Sequence, residues 1–138
     1  MKVIYQTSAT AKGGRNRHVK SIDGILDLEV RIPKEMGGSG GYTNPEQLFA
    51  AGYAACFDSA LNLVMRQEKI ATGTQSEVTG TVGIGQNETG GFQLSVKLSV
   101  SISGVDKEKA MELVEKAHSV CPYSNATRGN IDVELEVI

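Results

Sequence analysis

Residues 44–68 read NPEQLFAAGYAACFDSALNLVMRQE, and the fold turns on this stretch. Asn44 suits the cap of a helix and Pro45 its first turn, where a missing N–H costs nothing. From Glu46 to about Glu68, Leu48, Phe49, Ala50, Ala51, Tyr53, Ala54, Ala55, Cys56, Phe57, Ala60, Leu61, Leu63 and Val64 cover nearly the whole circumference of that helix. A helix apolar all round must be buried all round.

Upstream, Lys2 to Gln6 reads as a short strand and Asp23-Gly24 as the tight turn of a hairpin. Leu26, Leu28, Val30 and Ile32 then alternate with Asp27, Glu29 and Arg31, the pattern of a strand with one buried and one wet face. Pro33 and Gly37-Gly38-Ser39-Gly40-Gly41 interrupt regular structure. These glycines lack the Gly-Lys-Ser/Thr ending of a phosphate-cradling loop and read as a flexible approach to the helix.

Downstream, Val78, Gly80, Val82 and Ile84 predict a strand, and Phe92, Leu94, Val96, Leu98, Val100 and Ile102 alternate without a break, so the two should pair as a long antiparallel hairpin. Asp106 can cap a second helix whose buried face carries Ala110, Leu113, Val114, Ala117 and Cys121 before Pro122 stops it. Ile131, Val133, Leu135 and Val137 form a last half-buried strand. Three strands, a helix, two strands, a helix and a strand make an α+β domain, taken as one folding unit over residues 1–138. A subunit of this size cannot bury its first helix completely, and a homodimer that wraps the helix is the natural solution.

Composition narrows the function classes. The 138 residues carry a formal charge of −2, with 14 Lys and Arg spread along the chain, which argues against a nucleic-acid partner. No apolar run approaches the ~20 residues needed to cross a bilayer, and the first ten residues lack the charged-then-apolar order of a signal peptide. A soluble cytoplasmic protein is expected. Cys56 and Cys121, 65 positions apart, are too few for a disulfide-stapled scaffold and too distant for a CxxC motif. They meet in the fold or not at all.

A cysteine is a nucleophile only as thiolate, and burial in apolar surroundings disfavours that form. The plain alternative for each cysteine is a small core residue. Against it stand Arg15, which follows Gly13-Gly14 in a loop-like segment, and Glu46 at a helix start. An arginine beside Cys56 would stabilise the thiolate, and a carboxylate would orient that arginine; the alternative for both is a solvated surface charge. Arg17 is a rival to Arg15 that the glycine pair disfavours. Glu46 and Cys56 lie about 15 Å apart along a straight helix and are rotated by roughly 80°. An arginine spanning part of the gap, a bend at Gly52 or assembly across a dimer interface would each bring them into one site. Phe49, Phe57 and Tyr123 would make the surroundings of Cys56 apolar.

Residues 43–57 (TNPEQLFAAGYAACF) and 120–133 (VCPYSNATRGNIDV), with Gly13-Gly14-Arg15, Asp23-Gly24 and Val82-Gly83-Ile84-Gly85-Gln86, closely resemble the Ohr branch of the Ohr/OsmC family, the organic hydroperoxide resistance proteins. The resemblance spans essentially the whole chain. It implies antiparallel sheets wrapped around long central helices in an intertwined homodimer, with active sites at the subunit interface. It implies a two-cysteine peroxidase in which Cys56 is the peroxidatic cysteine, Cys121 the resolving one, Arg15 the activating arginine and Glu46 its carboxylate partner. It also implies no bound cofactor, and an external dithiol of lipoyl type as reductant, presented as dihydrolipoamide or by a lipoylated protein. Asp58-Ser59 departs from the apolar or small residues common in the family and bears on the polarity of the pocket.

Three rival readings are a metal site from His118, Cys121, Cys56 and His18, a non-catalytic thiol redox sensor or small-molecule binding dimer, and a purely structural dimer. The first lacks a strong ligand cluster, and His118 reads instead as a residue near a helix C-terminus, where positive charge is tolerated.

Overall fold

A hairpin turn at Asp23-Gly24 organises the N-terminal part of the computed structural model, which describes residues 1–71 and 73–138. Strands β1 (Ala9–Lys12), β2 (His18–Ser21) and β3 (Asp27–Glu29) form an antiparallel sheet in that order. Asp23 accepts hydrogen bonds from Ser21 and from the Ile25 N–H, which closes the β2–β3 turn. The expected strand at Lys2 to Gln6 does not form, and Val3, Ile4 and Tyr5 lie exposed. A strand needs a ladder partner, and this segment has none among the described residues. The half-buried strand expected from Leu26 to Ile32 shrinks to three residues. Val30 is buried, but Leu28 is not, because its face of the small sheet is uncovered in this unit.

The glycine-rich stretch is not the flexible approach its composition predicts. The N–H of Gly38 reaches the Pro33 carbonyl and that of Gly40 the Ile32 carbonyl. A Cβ on Gly38 would sit 2.0 Å from the Ile32 oxygen, so this loop needs glycine to close back on itself.

By density of contacts the chain divides into two units, Met1–Leu48 and Phe49–Ile138. The first unit ends in the opening turn of helix α1 (Pro45–Gln67), and the remaining turns of α1 belong to the second. The Asn44 side chain accepts the Gln47 N–H at 2.8 Å, the cap expected of it, with Pro45 in the first turn.

In the second unit β4 (Ser76–Gln86) and β5 (Phe92–Ile102) pair along their full lengths, Ser76 opposite Ile102 and Gln86 opposite Phe92. Helix α2 (Lys107–Val120) is capped by Asp106, whose carboxylate accepts the Lys109 N–H. Pro122 ends α2 as expected but also opens a short helix not foreseen, α3 (Pro122–Thr127), since proline fits a first turn. Strand β6 (Val133–Val137) then joins β5 in parallel, not antiparallel. The helical crossover between them returns the chain to run in the same direction as β5.

The core of this unit packs Tyr53, Phe57, Leu61, Val64 and Met65 of α1 against Val96, Leu98 and Val100 of β5 and Leu113, Val114 and Ala117 of α2. Burial of α1 is therefore one-sided: Ala51, Ala55, Ser59 and Leu63, spaced by four, form an exposed stripe. The absence of a long unbroken apolar run does not rule out a helix that is long and apolar enough on average to cross a bilayer. α1 has 23 residues and reaches a mean hydropathy of 1.4 over an 18-residue window. Counting unbroken apolar runs missed it, because Gly52, Asp58-Ser59 and Asn62 interrupt the run without lowering the average far.

Candidate active site

Cys56 lies midway along α1, and Cys121 at the junction of α2 and α3, where the apolar spacing places it on the buried face. Their sulfurs stand 3.8 Å apart and unbonded, with Cys121 fully buried and Cys56 half-buried. The Cys121 N–H binds the Ala117 carbonyl, and its own carbonyl accepts the Asn125 N–H, both at 2.9 Å, so each helix holds one end of this peptide segment. Burial pushes the Cys56 thiol above its ordinary value, and the neighbouring Cys121 adds to the rise; the backbone N–H of Tyr123 works in the opposite direction.

In the N-terminal unit Arg15 sits in a short 3-10 turn, Gly14–Asn16, rather than in a free loop. Gly13 precedes that turn at φ 73°, and a side chain there would press to 2.6 Å from the Arg17 Cβ. Arg15 donates to both carboxylate oxygens of Glu46, at 2.8 and 2.7 Å. The guanidinium holds the Glu46 carboxyl below its ordinary range, while Glu46 raises Arg15 further. Arg17 takes no part in this pair, and its carbonyl accepts hydrogen bonds from Val30 and Arg31. Of the four predicted site residues, the structure brings Arg15 to Glu46 and Cys56 to Cys121.

A polar network beside the cysteines was not predicted. Tyr53 Oη lies 2.9 Å from Ser124 Oγ and 3.1 Å from Thr127 Oγ1, and Ser124 Oγ lies 2.8 Å from His118 Nδ1. The signal was present, in the hydroxyls of Tyr53 on α1 and of Ser124 and Thr127 on α3, since a buried hydroxyl needs a partner. His118 is not the tolerated positive charge expected at its helix end. It packs against the Phe57 ring, and burial, assisted by Arg128, lowers its pKa. His18 pairs instead with Asp27 on the N-terminal sheet. No group of three metal-ligating side chains occurs among the described residues.

Asp58 is engaged by β4 and by its own helix. Its carboxylate accepts Ser76 Oγ of β4 at 2.5 Å, and its carbonyl accepts the Asn62 amide. The rings of Phe49, Tyr53 and Tyr123 cluster with centroids 5.6 to 6.2 Å apart. Phe49 and Tyr123 continue into a cavity of about 590 Å³ walled by Phe92, Leu94 and Ile131, with Asn87, Gln93, Thr127 and Asn130 as its polar lining. An apolar body with a few polar groups is the usual make-up of a small-molecule site.

The family described as OsmC-like protein matches residues 38–136. The organic hydroperoxide resistance protein of Xanthomonas axonopodis pv. citri is 53% identical over 135 residues, covering 97% of this chain and 94% of that protein. The organic hydroperoxide resistance protein OhrB of Bacillus subtilis is 49% identical, covering 97% and 98%. The crystal structure of an organic hydroperoxide resistance protein from Elizabethkingia anophelis superposes with a TM-score of 0.94 at 62% identity, covering 99% of this chain and 98% of that one. With the α+β fold and the paired cysteines, these likenesses place the chain in the OsmC-like family, within its organic hydroperoxide resistance (Ohr) branch.

Proposed function

We propose that this protein detoxifies organic hydroperoxides as a two-cysteine thiol peroxidase. The observation that carries the reading is the 3.8 Å approach of Cys56 and Cys121 across 65 positions of sequence. The Cys56 thiolate attacks the terminal peroxide oxygen, the O–O bond breaks, and the alkoxide leaves and takes a proton to become an alcohol; Cys56 becomes a sulfenic acid. Cys121 then attacks that sulfur and expels water, forming the Cys56–Cys121 disulfide. A dithiol, of lipoyl type in keeping with the family, reduces the disulfide by exchange.

Arg15, oriented by Glu46, is assigned two tasks in this cycle: holding the Cys56 thiolate and stabilising the charge that develops on the leaving alkoxide. The need is real, because burial alone pushes the Cys56 thiol the wrong way. Phe49 and Tyr123, with the apolar cavity they enter, support preference for a bulky organic group over hydrogen peroxide. A second copy of the chain over the exposed α1 stripe completes the assembly, in line with the homodimer expected from the sequence.

The raised Cys56 pKa favours one competing reading, a thiol dimer that binds or senses without turnover. Intact mass after one equivalent of cumene hydroperoxide separates the two. The peroxidase loses two hydrogens in the parent, stops at a sulfenic or overoxidised state in Cys121→Ser, and does not react in Cys56→Ser; multiple turnovers with dihydrolipoamide then follow. Unchanged masses throughout would reduce both cysteines to core residues.

A further inference from the structure

Ser124 bridges the two helices that carry the cysteines. Its Oγ lies 2.9 Å from Tyr53 Oη on α1 and 2.8 Å from His118 Nδ1 on α2. Tyr53 is three residues before Cys56, and His118 three residues before Cys121, so each end of the bridge sits about one helical turn from one sulfur. Thr127 of α3 makes a second contact to the Tyr53 hydroxyl at 3.1 Å. Tyr53 and Ser124 are fully buried, where a hydrogen bond is shielded from competing water.

A disulfide needs sulfurs about 2.05 Å apart, with Cα atoms in a narrow range of separations. The 3.8 Å gap leaves a short closing movement, and how often the sulfurs make it depends on how firmly α1 and the α2–α3 junction are held to one another.

We propose that Ser124 is a positioning residue for Cys121: through Tyr53 and His118 it sets the spacing of the two cysteine-bearing segments and so raises the effective concentration of one thiol at the other. The inference rests on the two-cysteine reading above, but it concerns bridge closure rather than the attack on peroxide. Ser124 touches no reacting atom in this role.

Thiol–disulfide exchange provides the test, because it needs no peroxide. The equilibrium constant for oxidation of Cys56 and Cys121 is measured in dithiothreitol redox buffers for the parent, Ser124→Ala and Tyr53→Phe, with near-ultraviolet circular dichroism to verify packing. Tyr53→Phe removes a single oxygen, so it remains informative if Ser124→Ala fails to fold. Loss of one buried hydrogen bond of this kind is expected to lower the constant about tenfold. In a Cys121→Ser background, oxidation of Cys56 by cumene hydroperoxide should stay within about twofold of its rate without the second change. Constants equal to the parent's in both variants overturn the inference and leave the peroxidase reading intact. A parent that forms the bridge but ignores peroxide sinks that reading alone. An equal loss in the bridge constant and in the rate of peroxide attack would mean Ser124 acts on general packing, and would also overturn the proposal.

Discussion

Arg15 and Glu46, 31 positions apart, meet as a two-pronged ion pair in which each guanidinium Nη–H₂ group faces one carboxylate oxygen, at 2.8 and 2.7 Å. A lysine would keep the charge and lose the fork. Arg15→Lys should therefore lower the rate of cumene hydroperoxide reduction by about tenfold or more. It should also move the pH midpoint for iodoacetamide alkylation of Cys56, read in a Cys121→Ser background, to higher pH. A rate equal to the parent's would mean that charge alone suffices.

The same pair has a pH signature. Glu46 has a lowered pKa in the fold, so its contribution to stability is fully present above the unfolded value of about 4.3 and is lost as pH falls through the folded value. The Arg15 side chain is 35% exposed, so solvent screens the pair and its contribution stays below about 1 kcal/mol. Urea midpoints should fall more steeply below about pH 4 in the parent than in Glu46→Gln. Parallel curves for the two proteins would contradict this.

Gly80 of β4 lies against the backbone of α1, where an added Cβ would approach the Ala50 carbonyl oxygen to 2.9 Å. A carbonyl cannot swing aside as a side-chain tip can. Gly80→Ala should cost about 1–3 kcal/mol, seen as a lower urea midpoint. Gly85→Ala, in the same strand but with open space at its Cβ, is the control and should change little.

The exposed α1 stripe of Ala51, Ala55, Ser59 and Leu63 marks the face assigned to a second copy. Sedimentation should show a dimer for the parent and a shift toward monomer for Ala55→Glu, which would bury a charge at the proposed interface. A parent that sediments as a monomer at micromolar concentration would remove the dimer from the reading.

The parts of the fold legible in the sequence were those in which one face meets one core. β5 alternates strictly and pairs where expected, and Asp106 and Asn44 cap the helices their positions announced. The N-terminal strand failed because Val3 and Ile4 resemble strand residues yet have no pairing edge among the described residues, which local composition cannot reveal. The parallel β5–β6 pairing was hidden for a similar reason: alternation gives a buried face but not a direction. In the candidate site, spacing put Cys121 on a buried face, but only the fold puts it beside Cys56. The Tyr53–Ser124–His118 bridge was missed because a tyrosine in an apolar run was counted for its ring and not for its hydroxyl.

The wide separation of Cys56 and Cys121 along the chain has a consequence for lifetime. A bond between residues 65 positions apart removes loop entropy from the unfolded ensemble worth about 4 kcal/mol on the chain-entropy scale. Each oxidation would then tighten the whole second unit against opening, and each reduction would release it. On the proposed two-cysteine cycle, the reduced form would be the more open to proteolysis, and the idle protein would be degraded faster than the protein under oxidant load.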